Sequence, residues 1–483
     1  MPATTPSAVE GAPFPAGINI NRDPQALQAF VSDQSGRVGQ APLAIASPSS
    51  AEQVQSVLRW ATQSKIAIVP ISSKGGPRRR GDTICEQPAV ILDLSGMNKV
   101  IHVDGRDAIA VIEPGVTFGE LNAALAPHGL RSFRPLELRP SKSVLAAFLE
   151  REPITVPSSH WDSADPLAAM EFVFGNGDMF RTGGAALPGT LEQNLARGNR
   201  QMLGAGPMHT DFGRVIQGAQ GALGVVTWAS IYCQRVPTLA KPLFAHSTRL
   251  ESIVELAYRM LRRRTAAQLF IVNARQLALS LAGERLVDKL APQLPDWTMY
   301  VELAAPEYFP QEAIAYQLAD LKRDASALGV TIGDRVGEFP ASAVAKRQDA
   351  DLTSAAANAG FPRQEVFCIS QLDRVRGHLD AISPSDAAQA CIYVQPLAQG
   401  VNAHCQFTLI DEAKQGSAAA HRATALAEAL AGSGGFFSRP YHPWAHIPFQ
   451  RDKSIAPLLA KTKSLFDPFS VLQPGAQSLG GAL

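Results

Sequence analysis

At 483 residues, with 46% hydrophobic and 18% charged residues and a formal net charge of +1, the chain has the composition of a globular protein large enough for two or three buried cores. That balance argues against nucleic acid or an anionic membrane surface as partner, and no apolar run reaches the length of a membrane span. Cys85, Cys233, Cys368, Cys391 and Cys405 are odd in number and scattered, which argues against a disulfide framework, a zinc site or an iron–sulfur cluster; no metal is expected, and a redox cofactor would be organic. The opening MPATTPSAVEGAPFPAG lacks the basic and apolar regions of an export signal, so a cytoplasmic location is expected.

Residues 1–37, rich in Pro, Ala, Gly and Ser, read as an arm laid over the fold and carry no chemistry of their own. Leu43–Ala46 reads as a strand, and Ser50 with Gln53 forms a capping-box pattern before Val54, Val57, Leu58 and Ala61, which repeat at helical spacing. The strand Ile66–Val69 then runs into PISSKGGPRRRGDT, residues 70–83. Gly75 and Gly76 permit backbone N–H groups to converge on an anion, Ser72 and Ser73 add hydroxyl donors, and Arg78, Arg79 and Arg80 offer paired donors to phosphate oxygens. A solvated basic loop is the competing reading, because no P-loop or GxGxxG pattern is present. Three short strands are expected next, at Ala89–Leu94, Lys99–Val103 and Ala108–Glu113, ended by Pro114-Gly115. Thr117 and Glu120 form a second capping box, and Gly129 stands at the expected helix stop. Farther on, Gly175-Asn176-Gly177 is a hairpin signal between two strands. Gly218, Gly221 and Gly224 recur every third residue, which lets a backbone turn lie close to a flat ring.

The succession SPSSAEQVQSVLRWA, loop, VILDLSGMNKV, VIEPGVTFGELNAALAPHGL, followed by EFVFGNGDMFRTG, IQGAQGALGVVT and the terminal FDPFSVLQPG, resembles the flavoprotein family of vanillyl-alcohol oxidase and para-cresol methylhydroxylase. The resemblance covers about half the chain. It implies an α+β fold: a two-part FAD-binding domain, 38–237, completed by residues 431–483, with an antiparallel-sheet cap, 238–430, between them. It also implies FAD as cofactor, with contacts from Ser72, Ser73, Gly75, Gly76, Arg80, Gly81, Asp82, Thr83, Pro114, Gly115, His160, Asp165, Gly218, Gly221, Gly224 and Val226. Two departures stand out. The loop carries arginines where relatives are richer in glycine and holds no histidine for covalent flavin attachment, and EREPITVPSSHWDSAD, residues 150–165, replaces a glycine-rich approach to the flavin.

Chemistry is expected where cap meets flavin. His160, oriented by Asp162, is a candidate base against the alternative of a structural histidine beside a core tryptophan. In GFFSRPYHPWAH, residues 435–446, Arg439 suits a substrate carboxylate or the charge on reduced flavin, and Tyr441 suits a substrate oxygen; plain seam packing is the alternative. His442 and His446 are weaker candidates for base or flavin attachment. From the cap, Asn273, Arg275, Tyr393 and Gln395 are placed near the substrate by strand alternation. The expected function is an FAD-dependent oxidoreductase taking hydride from an alcohol or hydroxy-acid carbon, with a small-molecule substrate, electrons leaving to a partner protein or soluble acceptor, and a homo-oligomer compatible with the sequence. The alternatives are an oxygen-using oxidase and a flavin-free or flavin-sensing scaffold subunit.

Overall fold

The computed structural model describes residues 13–76, 78–137, 141–159, 166–202, 211–344, 363–410, 416–451 and 453–473. β1 (Asn19–Asn21), polar and largely exposed, joins β2 (Ala44–Ser47) and the more apolar, more buried β3 (Ala67–Ile71) and β4 (Ala89–Asp93) in a sheet of order β1-β2-β4-β3. β4 is parallel to β2 and β3, and the helix Ala51–Ser64 makes the crossover such pairing needs, burying Val54, Val57, Leu58 and Ala61. Ser50 caps that helix as expected. Gln53, however, reaches past the cap to the N–H of Ser49 at 2.7 Å, so the box is closed one residue early. The N-terminal arm is also more than a cover. β1 pairs antiparallel with β2, and farther along the arm Asp33 accepts from the Gly81 N–H at 2.7 Å while Arg37 donates to the Gly81 carbonyl at 2.8 Å.

The strands expected after the arginine loop divide between two sheets. β4 completes the first, whereas β5 (Val100–Asp104) and β6 (Ile109–Ile112) open a second. A ribbon of β7 (Leu130–Arg131) and β11 (Gln234–Arg235) lies apart from it, and β8 (Leu167–Phe174), β9 (Met179–Arg181) and β10 (Gly224–Tyr232) complete the antiparallel order β5-β6-β10-β8-β9. Gly177, at φ +85°, makes the expected turn between β8 and β9. The Thr117–Glu120 capping box is complete, each side chain meeting the other residue's backbone N–H.

The middle of the chain forms a seven-stranded antiparallel sheet from β12 (Leu239–Ser247), β13 (Gln268–Asn273), β14 (Trp297–Ala305), β15 (Thr331–Gly333), β18 (Arg363–Ser370), β19 (Cys391–Leu397) and β20 (Asn402–Ile410), in the order β15-β12-β14-β13-β19-β20-β18; β16 (Arg335–Val336) and β17 (Phe339–Pro340) make a separate ribbon. Helices Leu250–Arg263 and Pro310–Leu328, with residues of Gly416–Gly432, share one core with alternate strand residues. The opposite face is covered as well. There the short helix Ala274–Ala282 packs with Phe244, Phe270, Tyr300 and Tyr393, and Leu136 of the first half joins them.

Residues after 466 return to the first sheet, where Ile68 donates to the Val471 carbonyl at 2.7 Å and the Gln473 N–H to the Ile68 carbonyl at 2.9 Å. A buried pair fixes this closure. Lys463 donates to Asp467 at 2.9 Å and to the carbonyls of Ala222 and Leu472, and Asp467 accepts from the N–H groups of Val471 and Leu472. Such full satisfaction is what a buried ion pair requires. Among the described residues no helix is long and apolar enough to cross a membrane.

Candidate flavin and substrate site

β3 delivers residues 72–83 to the end of the first sheet, against the Pro114-Gly115 turn and the start of the helix Val144–Leu149. Ser143 donates its N–H to Ser73 Oγ at 3.1 Å and its hydroxyl to the Pro114 carbonyl at 2.5 Å, and the Lys74 N–H donates to the Ser141 carbonyl at 2.9 Å. Gly75 takes φ +60°, and among the described residues, chain neighbours aside, no heavy atom lies within 4 Å of where its Cβ would stand; at Gly76 such an atom meets only the Arg78 nitrogen, at 3.7 Å. The loop therefore opens around its glycines. Its far end is pinned: the Asp82 carbonyl accepts from Gln473 at 2.8 Å, and a Cβ on Gly81 would lie 2.9 Å from that of His442.

The glycine-rich turn behaves differently. Gly218 and Gly221 take φ +83° and +76°, but a Cβ on Gly221 would lie 2.7 Å from the Pro70 ring, and one on Gly224 would meet Ile216, Phe172 and the Val173 carbonyl. Val226 is buried in the core beneath the second sheet. A side chain at Gly221 or Gly224 would therefore meet protein atoms, because the turn packs against Pro70 of β3 and against the core. Gln220 of this turn donates to the Pro440 carbonyl at 2.8 Å, joining it to the closing segment.

The arginines of the loop are engaged with protein groups. Arg78 lies over the Phe30 ring at 4.3 Å. Arg79 is hydrogen-bonded to Gln34 and lies 3.8 Å from both Glu284 and Glu365 of the cap. Arg80, expected on a pyrophosphate, pairs with Glu150 and, at 2.8 Å, with Glu152; Glu365 stands 3.9 Å away, and the Tyr441 ring centre 4.9 Å. Lys142 bridges the same two carboxylates at 2.9 and 3.3 Å. Although burial opposes its ionisation, Lys142 and Arg80 hold the Glu152 carboxyl well below the usual range. Arg363 extends the network, hydrogen-bonded to Glu137 at 2.8 Å and ion-paired with Glu365 at 3.3 Å. The arginine loop is the clasp between the two halves of the molecule.

Arg439 differs from these. It is buried, donates to the Glu150 backbone carbonyl at 3.0 Å, lies 4.2 Å above the Phe367 ring, and makes no ion pair among the described residues. Beside it, burial and the charge of Glu150 raise the Tyr441 phenol above its ordinary value, so it stays protonated. His404 is buried between Phe367 and Tyr393, with ring centres 5.5 and 6.0 Å away; burial and the Arg439 charge push it down to about 3, so it is neutral.

The structure brings Arg439 and Tyr441 together with Arg80 and Asp82. His160, Asp162 and Asp165 lie outside the described residues. Asn273 and Arg275, expected near the substrate, are taken up within the cap: Asn273 caps the helix Ala274–Ala282 and bonds the N–H of Ile392, and Arg275 bonds the Gln389 carbonyl and Asp288. Tyr393 donates to Gln395, whose amide donates to the Leu269 carbonyl. His442 is held neutral by burial and by Arg37. Sequence reasoning missed Lys142, Glu150, Glu152, Arg363, Glu365 and His404. A signal existed for two of them, since Arg363 and Glu365 put charge on alternate positions at the start of a strand that continues Val-Phe-Cys-Ile.

The residues present fit FAD. Besides the open glycines of the loop, Thr83 Oγ1, Ser141 Oγ, Gln217 Oε1, Tyr441 OH and His442 Nδ1 are buried without a hydrogen-bond partner among the described residues, as suits a groove whose occupant is rich in donors and acceptors. A family described as an FAD binding domain matches residues 42–183. Over 198 residues the chain is 28% identical to the mitochondrial D-lactate dehydrogenase (cytochrome) of Arabidopsis thaliana, covering 41% of this chain and 31% of that protein. Over 168 residues it is 30% identical to the flavoprotein subunit of 4-cresol dehydrogenase (hydroxylating) of Pseudomonas putida, covering 31% and 29%. The matched region thus spans about a third of each relative. The fold is similar to that of 4-ethylphenol oxidase from Gulosibacter chungangensis, with a TM-score of 0.77 over 95% of this chain and 94% of that one, at 16% identity. From the matched domain and the open glycine loop it follows that the chain carries an FAD-binding domain, with FAD as its cofactor, in a fold similar to that of 4-ethylphenol oxidase.

Proposed function

We propose that this protein is an FAD-dependent dehydrogenase that oxidises the hydroxyl-bearing carbon of a small hydroxy acid. The observation that carries the reading is Arg439, a buried guanidinium at the seam without a carboxylate partner among the described residues, while neighbouring Arg80 has Glu150, Glu152 and Glu365. A buried cation of that kind is stabilised by an incoming anion, and a carboxylate matches its paired donors. Bound FAD supplies the acceptor for the hydride that leaves the carbon. Arg439 holds the carboxylate. Tyr441, protonated and with its hydroxyl unpaired among the described residues, donates to the substrate oxygen, and Phe367 with neutral His404 keeps water from the reacting carbon. The D-lactate dehydrogenase among the relatives supports a hydroxy acid over a plain alcohol. The cytochrome in its name, and the subunit designation of the 4-cresol enzyme, support delivery of electrons to a partner or soluble acceptor. Five free, buried cysteines suit a reducing compartment such as the cytoplasm.

Anaerobic mixing of the purified yellow protein with a panel of 2-hydroxy acids, neutral alcohols and alkylphenols tests this. Bleaching of the flavin by one or more hydroxy acids, and not by their neutral amides, is expected. Bleaching by alkylphenols alone would overturn the substrate class, and a colourless protein that cannot be reconstituted with FAD would return the scaffold reading.

A further inference from the structure

Dehydrogenation of a hydroxyl-bearing carbon needs a group to take the hydroxyl proton, and the clasp contains one carboxylate that is not committed elsewhere. We propose that Asp82, at the end of the arginine loop, is that base. The assignment rests on the hydroxy-acid reading above. Three carboxyl groups meet Arg80 and Lys142 here. Glu150 and Glu152 are each bound by both cations, whereas the Asp82 carboxylate makes no hydrogen bond or ion pair among the described residues and is only half-buried. Its backbone is immobilised from three directions, through Gln473 on its own carbonyl and through Asp33 and Arg37 on Gly81. A rigid backbone bearing an unengaged side chain is how a catalytic group is presented, and saturated neighbours are how its chemistry is tuned apart from theirs. The groups facing it are Arg80 of its own loop, Lys142 and Glu150 of the adjoining segment, Asp33 of the N-terminal arm, and Tyr441 of the closing segment. Burial and the charge of Glu150 push the Asp82 carboxyl up to about 6, which leaves it ionised at neutral pH yet basic enough to accept a proton.

The step balances. The substrate O–H bond breaks and its proton passes to an Asp82 oxygen, the C–H bond breaks with both electrons leaving as hydride to FAD, and the carbon–oxygen double bond forms. Asp82 then releases its proton to solvent.

The experiment compares wild type with Asp82→Asn, using the hydroxy acid that bleaches the wild type fastest and its 2-oxo acid. The wild-type reduction rate should fall as pH drops through about 6. Asp82→Asn, with FAD content checked by absorbance, should be slower by about 10²–10⁴-fold and lack that acid limb. Binding of the 2-oxo acid, read from the flavin spectrum without turnover, should tighten below about pH 6 in the wild type, where protonated Asp82 donates to the oxo group, and be independent of pH in the variant. Wild-type speed and an intact acid limb in Asp82→Asn, or loss of that limb in His160→Ala instead, would overturn the assignment alone. If the variant is not recovered with FAD, pH-independent binding of the 2-oxo acid to the wild type overturns it equally. A wild type that no hydroxy acid bleaches overturns the functional reading and this assignment with it.

Discussion

Individual side chains in the seam are distinguished by their partners more than by their type. Arg80 and Arg439 are both buried guanidinium groups, yet one is neutralised by Glu150 and Glu152 and the other meets only a carbonyl and a ring. Arg439→Ala should therefore raise the hydroxy-acid concentration for half-maximal flavin reduction by tenfold or more, since a charge-assisted hydrogen bond contributes about 1.5–3 kcal/mol. The rate at saturation should change less, and rapid-mixing reduction across substrate concentrations separates the two. Asp82 also makes a prediction that needs no substrate. Its carboxyl, raised to about 6 in the folded protein from an ordinary 3.8, binds the proton more tightly folded than unfolded, so its contribution to stability is fully present below about pH 4 and is lost as pH rises through 6. Asp82→Asn should match the wild type in thermal unfolding near pH 4 and exceed it at pH 7. A melting-temperature difference that stays constant across that range would remove the basis for the raised value. Arg439 and Tyr441 could be picked from the sequence as polar members of an aromatic stretch. Their partners, hundreds of residues away, could not.

At the scale of elements, the glycines divide by what surrounds them. Gly76 opens on free space, whereas Gly224 faces Ile216, Phe172 and a carbonyl. Gly76→Val should weaken FAD binding in a fluorescence titration while thermal unfolding of the protein changes little. Gly224→Val should instead lower the unfolding temperature, because overpacking a core costs about 1–3 kcal/mol. The reverse pattern would show that the flavin lies along the second turn. Local signals were read well where they are local in fact: the Thr117–Glu120 box and the Asn176-Gly177 hairpin need only neighbouring residues. Gln53 escaped because its side chain chose between two adjacent N–H groups, a choice set by how the chain enters the helix from β2.

For the molecule as a whole, the loop after β3 joins the two halves. Glu365 on β18 stands within 4 Å of Arg79, Arg80 and Arg363, and burial, opposed by those cations, leaves it ionised below its ordinary range. Glu365→Ala should destabilise the protein by about 3–5 kcal/mol, the cost of leaving buried charge uncompensated, seen as a lower denaturant midpoint. It should also loosen the cap, seen as faster proteolysis between the halves. An unchanged midpoint would mean that solvent reaches the clasp and screens it. The same clasp holds Arg80, which lies over the Tyr441 ring, so the contacts that join the halves also position the closing segment.

What the sequence determined by itself was the order of elements, the α+β class and the flavin cofactor, because helix periodicity, caps, turns and a recurring succession of motifs are encoded by residues close together in the chain. Only the tertiary structure decided what the arginines do, which glycines border open space and which carboxylate is uncommitted. The physical reason is that a charge has no fixed role until its neighbours are known. Arg79, Arg80 and Arg439 are identical in chemistry, and Glu284, Glu365 and Glu150, brought from three distant segments, give each a different one.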